Sequence, residues 1–147
     1  MLKILVKAFN ELTTQELYDI LQLRSEVFVV EQNCVYQDID GKDQKALHIL
    51  GFKNNQLVAY TRIFKPGDYF ENASIGRVVV AKNQRQHQYG YDIMKVSIEA
   101  VENHFKETLI KISAQAYLKG FYNNLGFNEI GEEYLEDDIP HIAMIKT

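Results

Sequence analysis

Arg85-Gln86-His87-Gln88-Tyr89-Gly90 is a polar stretch between a β-branched run and an amphipathic one. If the amphipathic run is a helix, its first amides lack internal partners and the helix dipole makes them partly positive. A phosphate placed there would receive several backbone N–H bonds. Lys82, Arg85 and His87 add positive charge, and Gly90 would let the backbone approach an anion closely. A polar turn with a helix-packing glycine would use the same residues, so the stretch alone leaves both readings open. It carries neither G-x-G-x-x-G nor G-K-[ST], so nucleotide hydrolysis loses its main support. A second constellation is Ser113-Ala114-Gln115-Ala116-Tyr117 followed by Gly120-Phe121-Tyr122-Asn123-Asn124-Leu125-Gly126-Phe127. Phe121 and Leu125 are four apart and pack inward on a short helix that Gly126 stops. Tyr122 points off that pair, as an interfacial tyrosine or as a proton donor.

Other residues are weaker candidates. Asp38-x-Asp40-Gly41-x-Asp43 has the look of a calcium loop, but an EF-hand needs glycine at position six and glutamate at twelve, where this chain has Asp43 and Ile49. His48 and His141 have no partner at metal-ligand spacing. Each reads as a strand-end histidine, in a core hydrogen bond or at a cleft. Glu129, Glu132, Glu133, Glu136, Asp137 and Asp138 form either a solvated hairpin or a loop that attracts a cation. Cys34 is the lone cysteine and cannot form an intramolecular disulfide.

These residues need elements to position them. Leu2 to Phe9 reads as a strand; its lysines, Lys3 and Lys7, argue against a targeting segment. Thr13 as N-cap with Glu16 three residues on predicts a capping box, and a helix to about Phe28. Val29 to Lys45 shows no period and reads as a loop with a short helical piece. His48–Phe52, Asn54-Asn55 and Leu57–Phe64 predict a hairpin, because asparagine tolerates positive φ. Ser74–Val80, then a helix through Ile93, Met94, Ser97, Val101 and Phe105, then Leu109–Ala114 make a β-α-β unit with parallel strands. A short helix near 119–125 and strands near 128–134 and 141–145 complete the order. Pro66 and Pro140 both read as turn residues. The result is an α/β (α+β) chain, a mixed sheet covered by helices, read as one domain over residues 1–147.

Composition narrows the function. With 16 basic and 20 acidic side chains the net charge is -4, which argues against a general nucleic-acid binder. No apolar run approaches the roughly 20 residues of a membrane span. A cytoplasmic protein without membrane or nucleic-acid partners is the expectation.

Taken together, the two constellations resemble the GNAT superfamily of acetyl-coenzyme A-dependent N-acetyltransferases. That pattern is [Q/R]-x-x-G-x-[G/A] after a central strand, then a tyrosine-bearing short helix ending in G-F. Here it reads Arg85-x-x-Gln88-x-Gly90 and Phe121-Tyr122-x-x-x-Gly126-Phe127, with Gln88 where a glycine is usual. Leu23-Arg24-x-x-Val27-Phe28-Val29-Val30-Glu31-Gln32-Asn33-Cys34, Tyr36-Gln37-Asp38-Ile39-Asp40, Ile75-Gly76-Arg77-Val78, Gln115-Ala116 and Ile139-Pro140-His141-Ile142 look like the ElaA branch of the superfamily.

The resemblance implies a GNAT fold with splayed central parallel strands, acetyl-coenzyme A as co-substrate, no metal, and acetyl transfer to a small-molecule or peptide amine. The amides from Gln86 through His87, Gln88, Tyr89 and Gly90 to Tyr91 would hold the pyrophosphate, with Arg85 beside them. The main chain of Val78, Val79 and Val80 would pair with the pantetheine arm, and an N–H near Val79 would stabilise the thioester oxygen. Tyr122 would protonate the departing thiolate. A lysine-like amine is neutral at only a few parts in ten thousand at pH 7, so a base helps; Glu31 and His48 are the candidates. Edge strands permit a homodimer. The alternatives are a GNAT-fold module that binds acyl-coenzyme A without turnover, and an interaction domain that binds no coenzyme A.

Overall fold

Strand β1 (Lys3–Ala8) leads through a 3₁₀ turn (Phe9–Glu11) into α1 (Thr14–Arg24) in the computed structural model, which describes residues 2–147. The capping box forms: Thr13 Oγ1 accepts from the Glu16 amide at 3.0 Å, and the Thr13 amide donates to Glu16 Oε1 at 2.9 Å. The helix does not end near Phe28. It widens into π-helical turns over Ser25–Glu31, where Gln32 N donates to Val27 O and Cys34 N to Val29 O, both five residues back. A hydrogen-bond register of this kind has no residue-type signature, and π turns concentrate at functional sites. The following loop holds one 3₁₀ turn, Asp43–Lys45.

Strands β2 (Leu47–Lys53) and β3 (Gln56–Phe64) form the expected hairpin, and Asn54 and Asn55 take φ of 51° and 65° at its turn. Next come β4 (Ala73–Val80), a 3₁₀ turn (Lys82–His87), α2 (Tyr89–Phe105) and β5 (Ile110–Gln115). The chain closes with α3 (Lys119–Asn123), β6 (Asn128–Glu136) and β7 (Ile139–Lys146). The seven strands form one mixed sheet in the order β1-β2-β3-β4-β5-β7-β6. Pro140 is not in a turn but is the second residue of β7. It lies past the end of the β5 ladder, which stops at Gln115–His141, so its missing N–H costs no bond there.

Alternating side chains of the central strands feed two cores. Ile49, Ala59 and Ile63 pack with Ile93, Met94 and Val101 of α2. Leu50, Leu57 and Tyr60 pack with Ile20 and Leu23 of α1. Strands buried on both faces read as near-continuous apolar runs, as β3 does. Arg62 breaks that run, and a buried charge must find partners.

The site depends on one irregularity. β4 and β5 are parallel but pair only at Ala73–Ile110 and Ser74–Lys111. The β3–β4 register shifts between Tyr60 and Arg62, and Arg77 sits in the bulge at φ 50°. A bulge bends its strand and increases the twist. Past it, β4 and β5 separate, and a cleft opens between two neighbouring strands. Among the described residues no helix is long and apolar enough to cross a membrane.

Candidate functional site

The cleft holds about 930 Å³. One wall is the free edge of β4, Val78 to Val80; the opposite wall is β5 at Ile112, Ser113 and Gln115. The π-helical turns and α3 contribute Glu31 and Tyr122, and the β6–β7 end contributes Glu136, Asp137 and His141.

The polarity of the β4 edge follows from its pairing with β3. Ala81 N donates to Val58 O at 2.8 Å. Bonded and non-bonded pairs alternate along an antiparallel ladder. Tyr60–Val79 is therefore a bonded pair, and the Val79 amide is spent on β3. Around Val79 it is therefore the main-chain groups of Val78 and Val80 that face the opening. Arg85 Nε donates to Val80 O at 3.2 Å, as that orientation requires.

The turn from β4 to α2 brings the N-terminus of α2 to the cleft. Gln88 takes the left-handed conformation, φ 61°, at the N-terminus of α2 and makes no side-chain cap bond. Arg85, Gln88, Gly90 and Tyr91 line the cleft, whereas Gln86, His87 and Tyr89 do not. Tyr89 is buried, and the His87 ring lies 5.1 Å from it. A Cβ on Gly90 would meet the Phe121 ring at 3.3 Å, so this glycine also serves close packing of α2 on α3.

Tyr122 is held edge-on between Phe121 and Phe127, at ring separations of 5.0 and 6.0 Å. It is 6% exposed, and its hydroxyl has no hydrogen-bond partner among the described residues; it is not a sealed atom, so the remaining exposure opens on the cleft. Burial raises its pKa further above the ordinary tyrosine value, with a smaller contribution from Tyr117, so the hydroxyl stays protonated at neutral pH.

Of the two residues expected as the base, His48 is shut away from the cleft and Glu31 lines it in an ion pair. His48 is fully buried and does not line the cleft. Its Nδ1 is 2.5 Å from the Tyr60 hydroxyl and its Nε2 2.9 Å from the Asp43 carbonyl oxygen. Burial lowers its pKa, so the ring stays neutral and tied into the core. Glu31 does line the cleft, but Arg85 grips it at 2.6 and 2.7 Å. The hydrogen bond from Arg85 holds its carboxyl below the usual range, which makes it a weaker base.

Sequence reasoning also missed the structure behind the cleft. Asp38, Asp40 and Asp43 form ion pairs with arginines. Arg24, fully buried, reaches Asp38 and Asp43 at 2.8 Å each. Arg62 bonds Asp40 at 2.6 and 2.9 Å and Asp43 at 2.9 Å. Arg77, on the bulge, reaches Asp38 at 2.7 Å. The 36–43 loop is thus clamped to the sheet beside the opening. Arginine in an apolar strand was the available signal.

The model of the acetyltransferase (GNAT) domain family matches residues 10–147. The chain is 47% identical over 139 residues to the protein ElaA of Escherichia coli K12, covering 93% of this chain and 91% of ElaA. Among solved structures it is similar to an acyl-CoA N-acyltransferase from Pseudomonas aeruginosa, with a TM-score of 0.94, 41% identity and full coverage of both chains. The crystal structure of Escherichia coli ElaA superposes with a TM-score of 0.93 and 44% identity, again over both whole chains.

Proposed function

The chain belongs to the GNAT acetyltransferase family, and on that premise we propose that it transfers an acetyl group from acetyl-coenzyme A to a primary amine by direct attack on the thioester. The observation that carries this reading is the free edge of β4 in a cleft that also holds the Tyr122 hydroxyl. Unpaired backbone N–H and C=O groups seek partners. The amides of a pantetheine arm supply them in strand-like register.

Each group then has a physical task. The N-terminus of α2 and Arg85 bind the diphosphate by backbone N–H bonds and charge. An amide of Val78 or Val80 donates to the thioester oxygen as negative charge builds on it. Tyr122 gives its hydroxyl proton to the departing sulfur. Glu136 and Asp137 at the cleft mouth attract a cationic amine, whether a small molecule or a peptide side chain.

Two measurements test the proposal. Acetyl-coenzyme A at about 100 times Kd stabilises the protein by roughly 2.7 kcal/mol, a shift of several degrees in Tm. Release of free thiol that depends on a primary amine, with the amide identified by mass spectrometry, supports transfer. Binding without amine-dependent thiol release would instead make the protein an acyl-coenzyme A-binding module.

A further inference from the structure

We propose that His141, backed by Glu136, accepts the proton of the acceptor amine. The proposal rests on the acetyl-transfer reading above and supplies a base that is neither buried away from the cleft, as His48 is, nor paired with an arginine, as Glu31 is.

Three adjacent strands bring the parts together on one sheet face. His141 of β7 is directly opposite Gln115 of β5 on one side and Tyr134 of β6 on the other. Side chains two apart on a strand share a face, so Ser113 and Glu136 join them. The tight β6–β7 turn, with Asp137 and Asp138 at φ 51° and 63°, fixes this register. The His141 ring lies nearly parallel to Tyr134, with centroids 6.2 Å apart.

Hydrogen-bond chemistry assigns the tautomer. His141 Nδ1 is 2.7 Å from the Ile139 carbonyl oxygen, which can only accept, so Nδ1 carries the hydrogen. In the neutral ring Nε2 then holds the lone pair. Nε2 is 3.4 Å from Glu136 Oε2, too far for a strong hydrogen bond but close enough for an ion pair once protonated. The other Glu136 oxygen accepts from Ser113 Oγ at 3.2 Å, and Ser113 is itself hydrogen-bonded to the Tyr134 hydroxyl. The carboxylate is thereby held in place. Glu136 and Tyr134 from β6 and uncharged Gln115 from β5 face the ring, and Asp137 of the turn and Ser113 of β5 line the same cleft. An imidazolium formed here meets an anion on one nitrogen and a carbonyl on the other.

The protons balance. The acceptor's ammonium gives one proton to His141 Nε2, which frees the nitrogen lone pair. The N–C bond forms and the C–S bond breaks, its electron pair staying on sulfur. Sulfur takes the Tyr122 hydroxyl proton. The second proton shed by nitrogen as the amide forms returns to the Tyr122 oxygen through water in the cleft. His141 releases its proton to solvent as products leave.

The test uses the full chain, acetyl-coenzyme A and a panel of primary amines from alkylamines to lysine peptides. His141→Gln should lower kcat about 100-fold while leaving the calorimetric Kd for acetyl-coenzyme A unchanged. As a positioning residue, Glu136 should show a split: Glu136→Gln lowers kcat about tenfold with KM for acetyl-coenzyme A unmoved, and Glu136→Asp recovers part of the loss. Wild-type kcat in His141→Gln overturns the proposal, while amide formed by the wild type leaves the acetyl-transfer reading standing. A wild type that binds acetyl-coenzyme A but acetylates no amine overturns both. Independently of turnover, ¹⁵N correlation spectra should show His141 protonated at Nδ1 and bare at Nε2; the opposite tautomer overturns the proposal.

Discussion

Arg85 lays two guanidinium nitrogens on the Glu31 carboxylate, at 2.6 and 2.7 Å, and so ties the π-helical turns to the corner where α2 begins. On the proposed reading the same guanidinium also binds the diphosphate, so Glu31 would compete with it. The pair is partly exposed, with side-chain accessibilities of 42% and 27%, and screening limits its worth to about 1 kcal/mol. Glu31→Gln should therefore tighten acetyl-coenzyme A binding by about two- to fivefold. Titration calorimetry at low and high salt checks this, and the gain should shrink as salt rises. Weaker binding by the variant would mean that Glu31 positions Arg85 rather than competing for it.

Tyr122 is held by aromatic contacts and not by a hydrogen bond from its hydroxyl. Tyr122→Phe should keep the ring packing, the Tm and the acetyl-coenzyme A affinity. Loss of the proton donor should lower kcat on the order of 100-fold. Single-turnover kinetics separate this from slow product release. An unchanged chemical step would take the proton to sulfur from water instead.

Much of this architecture was legible because its signals are local. The Thr13–Glu16 box, the Asn54-Asn55 turn and the β-branched run before α2 each fix backbone geometry within a few residues. The π-helical turns were not legible, since Val27 to Val30 suits several backbone states and only the hydrogen-bond register separates them. The arginine–aspartate clamp was missed because its partners are 14 to 39 positions apart. Only the spacing within Asp38-x-Asp40-x-x-Asp43 was visible; it fails as a calcium loop and says nothing of arginines so far away in sequence. His48 and His141 look alike in sequence, both near strand ends. Their difference comes from what covers them: Tyr60 and the 43–45 turn close over one, while the splay of β4 from β5 leaves the other at the cleft.

The clamp predicts an acid-labile loop. Burial alone would raise the Asp43 pKa, but hydrogen bonds and charge from Arg24 and Arg62 overcome it, and the carboxyl lies below the usual range. Asp40 behaves the same way, with burial opposed by Arg62. A folded-state pKa below the unfolded value gives stability that is full above the unfolded pKa, near 4, and is lost as pH falls toward the folded value. Unfolding free energy should thus drop steeply below about pH 4. Asp43→Asn leaves Arg24 and Arg62 short of a buried partner and should cost about 3–5 kcal/mol at pH 7. Its stability should also fall less steeply in acid than the wild type's. Urea denaturation at pH 7, 5 and 3 checks both signs, and parallel wild-type and variant curves would remove Asp43 from the acid response.

Gly90 separates packing from ligand binding at the start of α2. An added Cβ meets two atoms of the Phe121 ring at 3.3 Å, so the ring must give by a few tenths of an ångström. Gly90→Ala should cost about 1 kcal/mol or less, because alanine's helix propensity offsets part of the crowding. Gly90 lines the cleft, so Gly90→Glu puts a carboxylate beside the amides that would face the diphosphate. Like charge and bulk there should remove acetyl-coenzyme A binding, seen as loss of the ligand-induced Tm shift in a protein that still unfolds cooperatively. Wild-type affinity in that variant would move the diphosphate away from the N-terminus of α2, and the β4 edge would then have to be paired by something other than the pantetheine arm.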